Sequence, residues 1–169
     1  MAGVGEAVDE ALPEDLGDVV RHLESTWPQE GCGVLLRAGR SGPWRCRPLR
    51  NVQDALHAED PVRFARTART AYAFEPREWL HVLQDAERRG EALRCVFHSH
   101  VDGGVEFSAE DRRQAAPGGQ PLLPGVCYLV VAVRRGRAEG AALYHWTGAH
   151  FARARGVGAP SPRSPPENP

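Results

Sequence analysis

Two stretches of the chain have the 3.6-residue hydrophobic spacing of an amphipathic helix. The first begins near Pro13 and is expected to end before Pro28, since a residue that precedes proline disfavours helical geometry. The second covers residues 75–89 and has the clearer signals, with Pro76 in its first turn and Gly90 directly after its basic end. A further helix is expected to open later in the chain, near residue 108.

Short apolar runs bounded by glycine, proline or polar residues predict five strands. They are Gly33–Arg37, Trp44–Leu49, Leu93–Phe97, Val126–Val133 and Ala141–Trp146. Residues 50–70 are rich in arginine with little periodicity, which indicates a connecting loop with at most a short helical turn. Helices and strands are mixed without strict alternation, so the expected fold class is α/β or α+β.

Length and charge narrow the class of protein. The 169 residues suffice for one domain, which we expect over residues 12–153, between a flexible start at 1–11 and a disordered proline-rich tail at 154–169. The formal net charge of -1 argues against a nucleic-acid binder, which would normally carry a basic surplus. No apolar run approaches the roughly 18 residues of a membrane span, and the start of the chain lacks signal-peptide features. A cytoplasmic location is therefore expected; the oligomeric state is left open.

The four cysteines are scattered and form no closely spaced pair. In a cytoplasmic chain this pattern disfavours both a disulfide framework and a four-thiolate zinc site. Three of the four also have apolar neighbours in sequence, so we expect free, buried structural thiols at Cys32, Cys46, Cys95 and Cys127.

The segment at residues 97–111 carries the candidate chemistry. His98 and His100 are two residues apart at the end of a predicted strand, so both imidazoles project to the same side. Ser108 and Asp111 have the spacing of a helix N-terminus, which places the carboxylate in the first turn. Two imidazoles and one carboxylate can bind Zn²⁺ and leave one tetrahedral position open, as in catalytic zinc sites.

Each part of this pattern also has a structural explanation. Histidines separated by one residue are common by chance, and Ser108 with Asp111 forms an ordinary helix cap. Asp102 is interpreted as a turn residue rather than a further ligand. The other five histidines show no ligand spacing and are expected on surfaces or helix faces. The residues alone do not identify the catalytic carboxylate, because several glutamates compete for the role: Glu24, Glu30, Glu106 and Glu110.

Taken together, His98-Ser-His100, seven residues, Ser108, two residues and Asp111 resemble the H-x-H-x(7)-S-x-x-D motif of the JAMM (MPN+) zinc metalloproteases. Upstream, residues 27–35 match the P-x-E-x-C-G-x-L context in which short bacterial members carry a catalytic glutamate, which is Glu30 here. The resemblance covers roughly residues 12–147. It departs from the family at Val101, where many relatives have proline, and this implies a changed loop shape rather than a lost ligand.

The resemblance implies a single MPN-type domain, with a central mixed β-sheet flanked by helices. It also implies one Zn²⁺ per chain, held by His98, His100 and Asp111. Glu30 would accept a proton from the attacking water, and Ser108 would donate a hydrogen bond to the developing oxyanion. The seven-residue loop of the motif leaves no room for the long insertion that helps some deubiquitinating members bind polyubiquitin.

The implied substrate is a ubiquitin-like sulfur-carrier protein, cleaved at the amide bond after its C-terminal Gly-Gly. Bacterial ubiquitin-like deconjugation, as by a deubiquitinase, is the next hypothesis, and a zinc hydrolase acting on a small amide is a third. A non-catalytic MPN scaffold is the alternative from another class. It is disfavoured because scaffolds have lost a metal ligand or the glutamate, and this chain has all four: Glu30, His98, His100 and Asp111.

Overall fold

A computed structural model describes residues 12–154, so the predictions for residues 1–11 and for the tail from residue 155 onward lie outside the described part. The helices within this part are α1 (Gly17–Thr26), α2 (Gln53–Glu59), α3 (Pro76–Arg89) and α4 (Ala109–Ala115), with a short 3₁₀ turn at Pro117–Gly119. The strands are β1 (Cys32–Ala38), β2 (Trp44–Leu49), β3 (Glu91–Val101), β4 (Cys127–Arg134), β5 (Arg137–Trp146) and β6 (Phe151–Arg153).

The six strands of the described residues form one mixed sheet in the order β2-β1-β3-β4-β5-β6. The neighbours β3 and β4 are parallel, whereas the other pairs are antiparallel. The connection between the two parallel strands contains α4, as a parallel crossover commonly contains a helix. This architecture confirms the expected α/β fold class with a central mixed sheet.

Each face of the sheet has its own hydrophobic core. Because side chains alternate along a strand, odd-numbered residues of β1 and β3 such as Leu35 and Phe97 pack under α1. Even-numbered residues such as Val34 and Val96 face the opposite side, where α3 and α4 contribute buried side chains. The helices therefore cover the sheet on both faces, and the motif histidines belong to the face of α3 and α4.

The ends of α3 follow the signals in the sequence. The Glu75 side chain accepts a hydrogen bond from the backbone of Glu78 at 2.7 Å, and Pro76 opens the first turn. Gly90 adopts a left-handed conformation with φ of 64°, which glycine tolerates without steric cost. By contrast, α1 begins at Gly17 rather than near Pro13, because the Asp15 carboxylate accepts a hydrogen bond from the Gly17 amide and forms a turn before the helix.

Two elements depart from the sequence-based expectation. Residues 53–59, which the sequence pattern assigned to a connecting loop, form the two turns of α2. Just before this helix, Asn51 Oδ1 accepts a hydrogen bond from the Gln53 amide at 3.0 Å. The short strand β6 was not predicted, since three residues are too few to show an alternation. The other strands lie where the hydrophobic pattern placed them, with ends that differ by a few residues.

Within the described residues, no helix is long and apolar enough to span a bilayer. The four cysteines are free thiols, as predicted. Cys32 and Cys95 are buried, whereas Cys46 and Cys127 are only half-buried, so the expected burial is found for two of the four.

Candidate metal centre and active site

The end of β3 positions the two motif histidines. The strand runs through both residues, so the side chains of His98 and His100 lie on one face of the sheet. Their Nε2 atoms lie 3.2 Å apart. The intervening Ser99 faces the other way, because side chains alternate along a strand, and it accepts a hydrogen bond from the Gly31 amide at 2.9 Å.

Asp111 approaches both imidazoles from the first turn of α4. Its Oδ1 lies 3.1 Å from His98 Nε2, and its Oδ2 lies 3.1 Å from His100 Nε2. The same carboxylate accepts a hydrogen bond from the Ser108 amide, and the Ser108 hydroxyl accepts one from the Asp111 amide, which completes a capping box. The cap of α4 therefore aims Asp111 at the histidines.

These three side chains fit a divalent metal ion. Within residues 12–154 they form a group of ligand atoms that lie within 4.8 Å of one another. The His100 Nδ1 faces the Gly104 carbonyl at 3.1 Å, so this nitrogen carries the proton and the Nε2 lone pair is available to a metal. His98 is fully buried and stacks on Tyr72, with ring centroids 4.5 Å apart. Two imidazoles and a carboxylate are donors that suit Zn²⁺.

The charge states of Asp111 and His98 favour ligation, whereas a metal that binds His100 would have to displace a proton that Asp111 stabilises. Burial opposes ionisation of Asp111, but hydrogen bonds from His100 and His98 outweigh it and hold the pKa of this carboxyl well below its ordinary value. Burial lowers the pKa of His98, which keeps this imidazole neutral. Burial also disfavours the charged form of His100, yet the neighbouring Asp111 raises its pKa overall. An anionic carboxylate beside a neutral imidazole is the state that a metal requires.

Glu30 faces this cluster from the segment before β1. In the β1–β3 ladder Cys32 lies opposite His98, and Ser99 donates its amide hydrogen to the Gly31 carbonyl. Continued beyond the ladder, this register would bring Glu30 toward His100, and the charges of His100 and Asp111 both act on the Glu30 carboxyl. The Glu30 side chain is only 5% exposed, and burial raises the pKa of its carboxyl from 4.5 to about 8, although the nearby His100 lowers it.

The backbone of Glu30 is held outside the strand ladder. Its amide donates a hydrogen bond to the Ala68 carbonyl at 2.7 Å, and its carbonyl accepts one from Asn51 Nδ2 at 2.9 Å. Asn51 was not singled out by the sequence, where it lies in a stretch assigned to a loop. Its side chain bonds only to backbone groups, which every residue has, so no pattern of residue types in the sequence indicates this role.

The structure brings all five predicted site residues to one place, whereas the competing glutamates have other surroundings. The five are Glu30, His98, His100, Ser108 and Asp111. Glu24 accepts a hydrogen bond from the Ala138 amide, and Glu110 pairs with Arg113. Glu106 is exposed.

A mixed α/β fold with a buried carboxyl beside two histidines and an aspartate defines a candidate metallohydrolase. Comparison with known proteins gives the family. Residues 14–147 match the model of the prokaryotic homologs of the JAB domain, and the chain belongs to this family. The family resemblance inferred from the motif is thereby confirmed.

Two curated relatives carry functional names. The chain is 30% identical over 125 residues to the desampylase of Haloferax volcanii, an alignment that covers 73% of this chain and 74% of the relative. It is 33% identical over 105 residues to a probable TtuB-protein conjugate cleaving protease of Thermus thermophilus, with 62% of each chain covered. These names confirm the expectation of an enzyme of the peptidase or isopeptidase class.

Solved structures share the fold. A solution structure of a protein from Desulfitobacterium hafniense aligns with a TM-score of 0.59 and 22% identity over 82% of this chain and 84% of its own. A second, from Salinibacter ruber, aligns with a TM-score of 0.54 and 24% identity over 92% and 95% of the two chains. At these identities the likeness supports the fold alone.

Proposed function

We propose that the chain is a zinc-dependent peptidase or isopeptidase that hydrolyses the amide bond after the C-terminal Gly-Gly of a ubiquitin-like, sulfur-carrier protein. One observation carries the proposal: the buried Glu30 carboxyl lies close enough to His100 and Asp111, two of the three ligand residues, for their charges to act on its pKa. The names of the two relatives, which describe release of protein conjugates, support the substrate class.

In this proposal His98, His100 and Asp111 hold one Zn²⁺ per chain. Bound zinc lowers the pKa of a water ligand from about 15.7 toward about 7 and polarises the carbonyl that is attacked. The protein supplies the orientation of the three ligands: the Gly104 carbonyl fixes the His100 tautomer, and the Ser108 amide holds the Asp111 carboxylate.

Glu30 is the proposed proton carrier. Its carboxylate accepts a proton from the attacking water and then transfers it to the departing nitrogen. The pKa of about 8 that burial gives this carboxyl in the metal-free protein keeps the protonated form accessible near neutral pH, as the second transfer requires. A nearby divalent charge favours the ionised form, which the first transfer requires.

Ser108 is the proposed hydrogen-bond donor to the oxyanion. One lone pair of its hydroxyl accepts the Asp111 amide hydrogen at 3.1 Å, and this leaves the hydroxyl hydrogen free to donate. The half-buried side chain lies at the N-terminus of α4, where backbone amides also favour negative charge.

The Gly-Gly terminus suits a buried site, because two residues without side chains allow the scissile bond to approach the ligands closely. Release of a protein from an isopeptide conjugate is the second candidate, and it is favoured by the conjugate named for the Thermus relative. A non-catalytic scaffold role is disfavoured, because the four residues that scaffolds lose are present and close together.

Mass spectrometry tests the proposal. Zinc-loaded protein is incubated with carrier proteins extended beyond Gly-Gly and with isopeptide conjugates of the same carriers. We expect a new C-terminus at Gly-Gly with the wild type and none with Glu30→Gln. Glu106→Gln is the matched control, because this exposed glutamate is close in sequence to the motif and should retain turnover. Cleavage of small amides but of no carrier would contradict the substrate class.

A further inference from the structure

We infer that Asn51 is the positioning residue for Glu30: its side-chain amide fixes the backbone that carries the proton acceptor. The inference rests on the proposed role of Glu30. Asn51 lies between β2 and α2, and no contact with the ligand residues is needed for this effect.

The Asn51 amide uses all of its hydrogen-bonding capacity on backbone groups. Its Nδ2 donates to the Glu30 carbonyl at 2.9 Å and to the Ala71 carbonyl at 3.0 Å. Its Oδ1 accepts from the Gln53 amide at 3.0 Å and from the Ala73 amide at 3.1 Å. A carboxamide offers two donor hydrogens and two acceptor lone pairs, so none is left over.

These partners determine the orientation of the amide. Two backbone amides require an oxygen on one side, and two backbone carbonyls require an NH₂ group on the other. The Asn51 amide meets both demands at once. The side chain therefore joins three segments: the residues before β1, the start of α2 and the strip at residues 71–73 that leads to α3.

Glu30 depends on such support because it precedes the regular ladder, which begins at Cys32. Its amide bonds to Ala68 and its carbonyl to Asn51, so neither group is held by a strand partner. If the carbonyl loses the Asn51 donor, the Glu30–Gly31 peptide keeps only the hydrogen bond from the Gly31 amide to Ser99 Oγ, and the direction of the Glu30 carboxyl is less firmly fixed. A displacement of about 1 Å at a catalytic group can reduce the rate about 100-fold.

Substitution by aspartate tests this directly, since Asn51→Asp preserves the shape and removes both donors. The carboxylate then places an oxygen against the carbonyls of Glu30 and Ala71. We expect kcat to fall on the order of 10-fold to 100-fold with an unchanged KM and unchanged zinc content. The variant Asn51→Ala removes the donors without adding a charge, and the same measurements are made on it if the aspartate variant does not fold.

The matched control is Gln53→Leu. Gln53 is also buried in this region and donates to the Arg66 carbonyl at 2.8 Å, but its side chain makes no hydrogen bond to Glu30. A merely structural role for Asn51 would give both variants a lower melting temperature and the same kcat in the folded fraction. The positioning role predicts that kcat falls only in the Asn51 variants.

Hydrogen exchange at the Glu30 amide, followed by NMR in metal-free protein, provides a readout that does not need turnover. We expect faster exchange in the Asn51 variants than in the wild type. Folded, zinc-loaded Asn51 variants with wild-type kcat and exchange would overturn the inference. A wild type that cleaves no carrier would instead overturn the proposed function, while the exchange measurement still tests the link between Asn51 and Glu30.

Discussion

Asp111 Oδ2 accepts a hydrogen bond from the Ser108 amide at 2.8 Å and also lies 3.1 Å from His100 Nε2. The carboxylate that caps α4 is thus the one that faces the histidines. Ser108 completes the reciprocal cap through its own hydroxyl. Helix capping and the proposed chemistry share the same two residues, so their contributions must be separated by the choice of substitution.

The variants Ser108→Gly and Ser108→Ala separate the contribution of Ser108 to helix capping from its proposed contribution to catalysis. Alanine at an N-cap costs about 0.5–2 kcal/mol of stability, whereas glycine costs only a few tenths. Both variants lack the hydroxyl, and losing an oxyanion donor typically reduces kcat about 100-fold to 1,000-fold. We expect similar losses of kcat but a lower melting temperature for alanine alone. If kcat instead follows the melting temperature, the hydroxyl acts only as a cap.

Metal content tests the ligand set. His100→Ala and Asp111→Ala each remove one of three proposed ligands, so we expect about one zinc per chain in the wild type and a large loss in both variants. Glu30→Gln should retain the metal, because its carboxyl lies outside the ligand group. His81→Ala is the control, since this exposed histidine lies on α3 away from the cluster. Full zinc content in Asp111→Ala would contradict the assignment.

The metal motif could be predicted from the sequence because its geometry is local. His98 and His100 share a face wherever a strand runs through them, and the capping box of Ser108 and Asp111 spans one helical turn. Only one feature of the metal motif is not determined by the sequence pattern, namely how the loop between β3 and α4 folds back to bring Asp111 to the histidines. Family resemblance then supplied the chemistry that spacing alone left open.

Glu30 and Asn51 show where local pattern ends. Glu30 reaches the cluster through the register of β1 against β3, some 68 residues away in sequence, so the residues alone left four glutamates in competition. Asn51 acts on backbone groups of three separate segments, and backbone groups carry no sequence signal. Family context identified the first residue, whereas only the structure identified the second.

The pKa of Glu30 makes the stability of the metal-free protein depend on pH. Burial raises this pKa from 4.5 to about 8, so between these values the folded state binds a proton that the unfolded state has lost. Stability therefore falls as pH rises through this window, with a slope of at most about 1.4 kcal/mol per pH unit from this group. Above the folded pKa both states are ionised and the slope ends.

Comparison with Glu30→Gln isolates this contribution, because the histidines and Asp111 titrate in both proteins. We expect chelator-treated Glu30→Gln to gain stability over the wild type as pH rises from 5 toward 8, as followed by urea denaturation at several pH values. A difference that stays constant across this range would show that Glu30 titrates alike in the folded and unfolded states.

Close backbone approach next to the site predicts a large effect of a single methyl group. A Cβ atom added at Gly33 would meet the Phe97 ring and lie 2.6 Å from the Arg47 carbonyl oxygen, so β1 could not keep its distance to both neighbouring strands. We expect Gly33→Ala to destabilise the fold by about 1–3 kcal/mol, the usual cost of overpacking. Gly103→Ala is the control, since a Cβ atom added at Gly103 would have His100 Cβ as its nearest neighbour, at an ordinary contact distance of 3.6 Å. Equal melting temperatures for the two variants would mean that β1 can shift without cost, and the register that brings Glu30 toward His100 would then be less rigid than the ladder suggests.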